Sequence, residues 1–218
     1  MTLAAQPAGD ATSEQPDPSF QTLQPLVAAR LSGDAVATAR SLLGALLVRE
    51  DDAGPRIGRI VETEAYAGPN DRASHARAGR TPRTTVMFGP PGRAYVYLVY
   101  GLHHCLNVVC GAEGTAAAVL VRALEPIAGH ERMRERRGRT AGPMPRTAAG
   151  PARLCQALEI DRSFNGDDLT TRGRLWLAAL RTPVADDEVI SGPRIGVEYA
   201  GPEWSTRPWR FGIAASPS

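Results

Sequence analysis

The run Arg59-Ile-Val-Glu-Thr-Glu-Ala-Tyr66 brings two carboxylates and a phenol to the end of an apolar stretch. Alternate residues of an extended chain share a face, so Glu62, Glu64 and Tyr66 point one way, and Ile60 joins them if the strand is regular. A carboxylate beside an aromatic ring suits activation of water next to a stacked flat ligand. The same pattern also describes an ordinary strand end with solvated glutamates. Arg122 lies inside the apolar run Ala118–Leu124. A buried guanidinium is costly unless paired, so it calls for a carboxylate or phosphate, with Glu64 and Glu125 as candidate partners. Four of the five tyrosines, Tyr66, Tyr95, Tyr97 and Tyr100, cluster with His75 in about 35 residues. Aromatic faces stack planar bases at ~1–3 kcal/mol each, although Tyr95 and Tyr97 also fit a plain strand. Tyr100 precedes Gly101 at a strand-to-turn junction, where a projecting ring is suited to wedge between base pairs.

Several chemistries are disfavoured. His103, His104 and Cys105 are adjacent, and neighbouring side chains on a strand diverge, so they form a poor chelate and no metal site is expected. There is no Gly-x-Gly-x-x-Gly, Walker or Gly-x-Ser-x-Gly motif, and no cofactor is expected. All 25 basic residues are arginine. Without lysine, no side-chain amine is available to form a Schiff base with a carbonyl. The net charge is only +2, yet residues 72–93 hold five arginines and no acid, and residues 126–153 hold seven against Glu131 and Glu135. Two basic patches suggest a polyanionic partner. No apolar run reaches the ~18 residues a membrane span needs. Three cysteines, no Cys-x-x-Cys pair and no secretion signal point to reduced thiols in a cytoplasm.

The elements that must position these groups follow from local signals. Residues 1–24, rich in Ala, Gln, Pro, Ser and Asp, read as a flexible tail, and residues 25–218 as one domain. Asp34 caps a helix over 35–43, with Gly44 as its C′ residue. Strands are expected at 45–50 and 57–63 around an Asp51–Gly54 turn. A Gly/Arg loop spans 67–83, with short strands at 85–88, 94–100, 106–110 and 117–124. A basic helix is expected at 127–137, and Pro151 at N1 opens another through Leu158. Residues 175–180 read as helical, and 195–198 and 209–213 as the last strands. Hairpins mixed with helices predict an α+β fold with a curved, mixed but largely antiparallel sheet, open-barrel-like, and surrounding helices.

Assembled, these residues resemble the alkyladenine (3-methyladenine) DNA glycosylase family. The matching blocks are Ala39–Gly44, Val61–Tyr66, Ala94–Gly101, Cys105–Asn107, Val121–Pro126, Gly150–Cys155, Pro193–Val197 and Arg207–Phe211, in order over roughly 25–213. The resemblance implies a monomeric, monofunctional enzyme that flips a damaged purine, alkylated or deaminated, from duplex DNA and hydrolyses its N-glycosidic bond. It implies Glu64 as general base with Arg122 holding water and carboxylate. Tyr66 would stack on one face of the base, with His75 and Tyr97 on the other. Asn107 would lie at the pocket floor and Tyr100 would fill the gap in the duplex. Leu102-His103-His104 departs from the bulkier residues of better-known members. A lesion-binding module without activity and a hydrolase of free nucleosides are the competing readings. Glu64 and Arg122 together argue against the first, and the basic patches against the second.

Overall fold

A computed structural model describes residues 20, 22–138, 143, 146–179 and 184–214. Most of the expected tail, and much of the loop near 138–148, lies outside them. Two residues of that tail, Phe20 and Leu23, pack against a cluster built on Trp176, and Leu26 donates its N–H to Leu177 O.

Eight strands form one open sheet: β1 (Leu46–Arg49), β2 (Arg56–Tyr66), β3 (Ala94–Val99), β4 (His103–Cys110), β5 (Ala117–Ala128), β6 (Leu175–Ala178), β7 (Val189–Gly192) and β8 (Arg210–Ile213). The order is β3-β4-β5-β2-β1-β6, with β8 joining β2 and β7 joining β8. Every ladder among the described residues is antiparallel and the sheet is open, in keeping with the expected largely antiparallel α+β fold. Helices α1 (Ala35–Ser41), α2 (His130–Arg137), α3 (Pro151–Ala157) and α4 (Pro202–Ser205) surround it. The α1 start follows its capping signal: Asp34 Oδ1 accepts from Val36 N and Ala37 N at 2.9 Å, a cap worth about 1 kcal/mol. The main core lies between α1, α3 and the sheet, with Ile60, Val61, Ala65, Val119, Leu124 and Leu154 among its members.

The departures from expectation have local causes. Residues 175–178 are a strand: Leu177 faces the main core while Trp176 and Ala178 face the cluster of Leu46, Val48 and Ile57. Burial on both faces removes the alternation that separates a short strand from a helix. Residues 85–88 form a 3-10 turn, because Thr81 and Thr84 side chains bond the local backbone and displace a ladder. β5 runs on to Ala128, and the basic helix starts only at His130. Gly129 between them has φ 74°, and a Cβ there would stand 2.8 Å from Pro55 O and 2.7 Å from Arg56 Cγ. The C-terminal hairpin partner is β7 rather than 195–198, a segment whose Ile195 N–H is bonded to a side chain instead.

Candidate active site

The site is written across four strands by register. Glu64 on β2 pairs with Leu120 on β5, Leu120 with Asn107 on β4, and Asn107 with Tyr95 on β3. A second row lies beside it, in which Cys105 on β4 pairs with Tyr97 on β3. Tyr66 and Tyr97 thus rise from strands separated by three spacings, about 14 Å, and the small residues between them form a floor. They line a cavity of about 380 Å³, near the small end of ligand pockets, which run from roughly 300 to 1,000 Å³. All seven residues expected in the site border it: Glu64, Tyr66, His75, Tyr97, Tyr100, Asn107 and Arg122.

Two irregularities aim the charged groups. Between the pairs Ile60↔Leu124 and Glu62↔Ala123, β2 carries the extra residue Val61; between Glu62↔Ala123 and Thr63↔Val121, β5 carries the extra residue Arg122. Such bulges re-aim a side chain and break alternation. Ile60 therefore packs in the main core rather than beside the glutamates, and Arg122 turns to both carboxylates. Arg122 Nη1 stands 3.1 Å from Glu64 Oε1 and Nε 3.4 Å from Glu62 Oε1. Glu125, the other candidate partner, is taken by Arg59 at 2.6 Å.

The two glutamates differ in their surroundings. Glu62 has a second cation, Arg210 Nη1 at 2.8 Å. Glu64 is fully buried. Its Oε1 accepts from Ile195 N at 2.8 Å, and its Oε2 accepts from the Tyr66 hydroxyl at 2.9 Å. Burial pushes the Glu64 pKa above the usual carboxylate value, against the pull of Arg122 and the two hydrogen bonds. Tyr66 is pushed well up by burial and by the Glu64 charge, so its hydroxyl stays a donor.

The aromatic side is equally tied. His75 Nδ1 lies 3.0 Å from the Tyr95 hydroxyl, and the His75 ring meets Tyr97 edge-on at 4.5 Å. Burial, with Arg83 and Arg77 nearby, lowers the His75 pKa to about 4, so the ring is neutral near pH 7. Asn107 Nδ2 donates to Tyr95 O at 3.0 Å, which fixes the amide plane. Cys105 on the floor is a neutral thiol, its pKa raised to about 11 by burial. At the rim, Tyr100 (φ 52°) and Gly101 (φ 69°) have the left-handed signs of a type I′ turn. The turn presents Tyr100 at 90% exposure and Leu102 at 76%.

Of the two basic patches, the first reaches the site: Arg83 lies over the Tyr97 ring at 5.1 Å and Arg77 over Tyr199 at 5.8 Å. In the second, three arginines are engaged by partners within the protein. Arg132 pairs with Asp51, Arg136 with Glu159, and Arg137 with Gln156. Sequence reasoning gave no role to Ile195, Arg194, Asp71 or Arg210. Arg194, Ile195 and Arg210 reach β2 across more than 120 residues, and Asp71 is tied to Arg194 across 123, separations that no local pattern reports.

A desolvated carboxylate under an aromatic slot, with an exposed ring at the rim, suits a hydrolase that activates water beside a planar group. Residues 29–217 match the model of methylpurine-DNA glycosylases. A relative from Anaeromyxobacter dehalogenans, named provisionally for 3-methyladenine DNA glycosylases, is 50% identical over 187 residues, covering 84% of this chain and 80% of its own. The human DNA-3-methyladenine glycosylase is 43% identical over 192 residues, covering 84% of this chain and 63% of its own. The chain belongs to the methylpurine-DNA glycosylase family. It is a glycosylase hydrolase whose substrate is DNA.

Proposed function

We propose that the protein binds duplex DNA as a monomer, turns a damaged purine nucleotide out of the stack into the slot, and hydrolyses its N-glycosidic bond to leave an abasic site. The observation that carries the reading is Glu64: buried, ion-paired by Arg122 and hydrogen-bonded by Ile195 and Tyr66, at one end of an aromatic slot. Burial raises the proton affinity of this carboxylate, which suits a base that must take a proton from water in the transition state. Water deprotonated by Glu64 attacks C1′ of the sugar while the purine departs. Arg122 keeps the carboxylate ionised and aimed.

The remaining roles follow from chemistry. Tyr66 stacks on one face of the base, and Tyr97 with neutral His75 on the other. A neutral His75 avoids repulsion with an alkylated purine, which is cationic and which the electron-rich rings favour. Asn107, on the floor, disfavours the exocyclic amine of guanine. Tyr100 fills the gap left in the duplex, a gap that is cheaper to open at a damaged or mispaired base. The substrate range extends from alkylated to deaminated purines. The absence of lysine fits a monofunctional enzyme without a lyase step. Three buried, unpaired cysteines fit a reducing cytoplasm, where the enzyme works on the nucleoid.

The test is incubation with duplexes carrying one 3-methyladenine or hypoxanthine, followed by hot alkali. Strand breaks at the lesion are expected. Lesion binding without alkali-labile sites would turn the reading to a binding module. Cleavage of free nucleosides as fast as duplex would turn it to a nucleoside hydrolase.

A further inference from the structure

Arg194 and Asp71 form a fully buried ion pair that the proposed chemistry does not use. Removing two charges from water is expensive, and such a pair is weak evidence for stability in itself. Its contacts converge on one stretch. Arg194 Nη1 donates to Ala65 O at 2.9 Å as well as to Asp71, and Nη2 donates to Asp71 Oδ1 at 3.0 Å and Trp204 O at 3.2 Å. The guanidinium lies 4.9 Å from the Tyr66 ring centre and 5.0 Å from that of Trp209. The next residue, Ile195, gives its N–H to Glu64. Asp71 accepts from Ala67 N at 3.1 Å. Residues 64, 65, 66 and 67 are thus each held by the pair or by its immediate neighbour.

We propose that Arg194, neutralised by Asp71, is a positioning residue that sets the carboxylate of Glu64 and the ring of Tyr66 together. The proposal rests on Glu64 being the base. The need is geometric. The side chains of Glu64 and Tyr66 leave the sheet at the end of β2, where the β8 ladder has stopped at Glu64 and only the Ala65 N–H to Trp209 O bond continues it. Arg194 closes that edge. Its planar fork reaches the carbonyl between the two working residues, its flat face backs the tyrosine, and its own backbone fixes where Ile195 meets Glu64. Asp71 keeps the net charge behind Tyr66 near zero, so a cationic base on the far face of the ring is not repelled.

The experiment is single-turnover excision at saturating enzyme across pH, with melting temperatures, for Arg194→Lys, Trp209→Leu and Glu64→Gln. Trp176→Phe, in the cluster at the far edge of the sheet, serves as a stability control. Lysine keeps the charge but lacks the fork. Arg194→Lys is expected to lower the saturated rate 10–100-fold, as misplacement of a reacting group by about 1 Å does, with lesion-duplex affinity changed less than about fivefold. Its acid limb moves to higher pH, because a donor to the ionised form of Glu64 is loosened. Trp209→Leu, which removes one stacking face and leaves the ion pair, moves both readouts the same way by less, and it carries the test if Arg194→Lys does not fold. A wild-type rate and acid limb in the variants, or a rate loss no greater than in Trp176→Phe with the limb unmoved, overturns the positioning role. Undiminished turnover in Glu64→Gln removes the base reading, and the proposal with it; inactive Glu64→Gln beside normal Arg194→Lys overturns the proposal alone.

Discussion

Replacing Glu64 with glutamine keeps the shape of the side chain and removes its basicity. General-base catalysis contributes about 10²–10⁴ in rate, or roughly 3–5 kcal/mol of barrier, so the single-turnover rate is expected to fall by that factor. The fold should tolerate the change. Glutamine Oε1 still accepts from Ile195, and the Tyr66 hydroxyl turns to accept where it now donates. Arg122 loses one anion but retains Glu62, 3.4 Å away. The lost charge-assisted contact, about 1.5–3 kcal/mol, is offset by relief of the burial that raises the Glu64 pKa. A net change within about 1 kcal/mol moves the melting temperature by no more than ~4 °C in a domain of this size. The assay is alkali cleavage of a duplex with one lesion, read under enzyme excess across pH, with binding measured by gel shift. Only ionised Glu64 acts as a base, so wild-type rates rise with pH through a midpoint above the ordinary glutamate value. A glutamine variant within tenfold of wild type at pH 7, or a wild-type rate independent of pH from 4 to 7, refutes the assignment.

Tyr66→Phe removes the hydroxyl that stabilises ionised Glu64, so the acid limb of the rate profile should shift upward while lesion affinity stays within a few-fold; an unmoved limb means that the hydroxyl is irrelevant to the base. His75 is neutral when folded, with a pKa of about 4 against 6.5 in the unfolded chain. Its stability contribution is complete above pH 6.5 and is lost as pH falls toward 4; discounted for partial exposure, that loss is about 1–2 kcal/mol. Chemical denaturation of the wild type and His75→Gln at pH 7 and 5 should show a smaller drop in the variant. Tyr100→Ala should leave stability within about 0.5 kcal/mol, given its exposure, yet weaken lesion-duplex binding; equal affinity by fluorescence titration would remove the wedge. Replacing Arg83 with Ala should reduce the slope of log affinity against log salt by about 0.9 if it meets one phosphate.

The parts of this molecule written in short-range chemistry were legible in the sequence. Asp34 marked the start of α1, although the helix ends at Ser41 with Leu42 as its C-cap rather than running to Leu43; Pro151 opened α3, and the Asp51–Gly54 turn fixed the β1–β2 hairpin that delivers Glu64. The tyrosines of β3 came to the cavity because alternation puts Tyr95 and Tyr97 on one face, opposite Asn107 and Cys105. What failed was decided by burial on both faces, as at Trp176, or by side chains competing for the backbone, as at Thr81 and Thr84. Pro126 hid the true length of β5, which was expected to end at Leu124 and runs on to Ala128, because a proline reads as a strand breaker.

The two glutamates show where pattern stops and tertiary structure begins. By alternation, Glu62 and Glu64 are equivalent, and both do face Arg122. They separate only because β8, joined to β2 across almost 150 residues, brings Arg210 to Glu62 and leaves Glu64 to a backbone N–H and a phenol. Two cations, Arg122 and Arg210, are paired with Glu62. One shared cation and two neutral donors on buried Glu64 leave it ionisable with a raised affinity for protons. Glu62→Gln should therefore cost more in stability than in chemistry. Its acid limb should move slightly to lower pH, because the Glu62 charge adds to the rise of the Glu64 pKa, and its saturated rate should fall no more than about tenfold, within the effect of a misaligned Arg122. If Glu62→Gln instead lost both rate and limb while Glu64→Gln kept them, the wrong carboxylate would have been chosen, and the bulge at Arg122 would serve Glu62 instead.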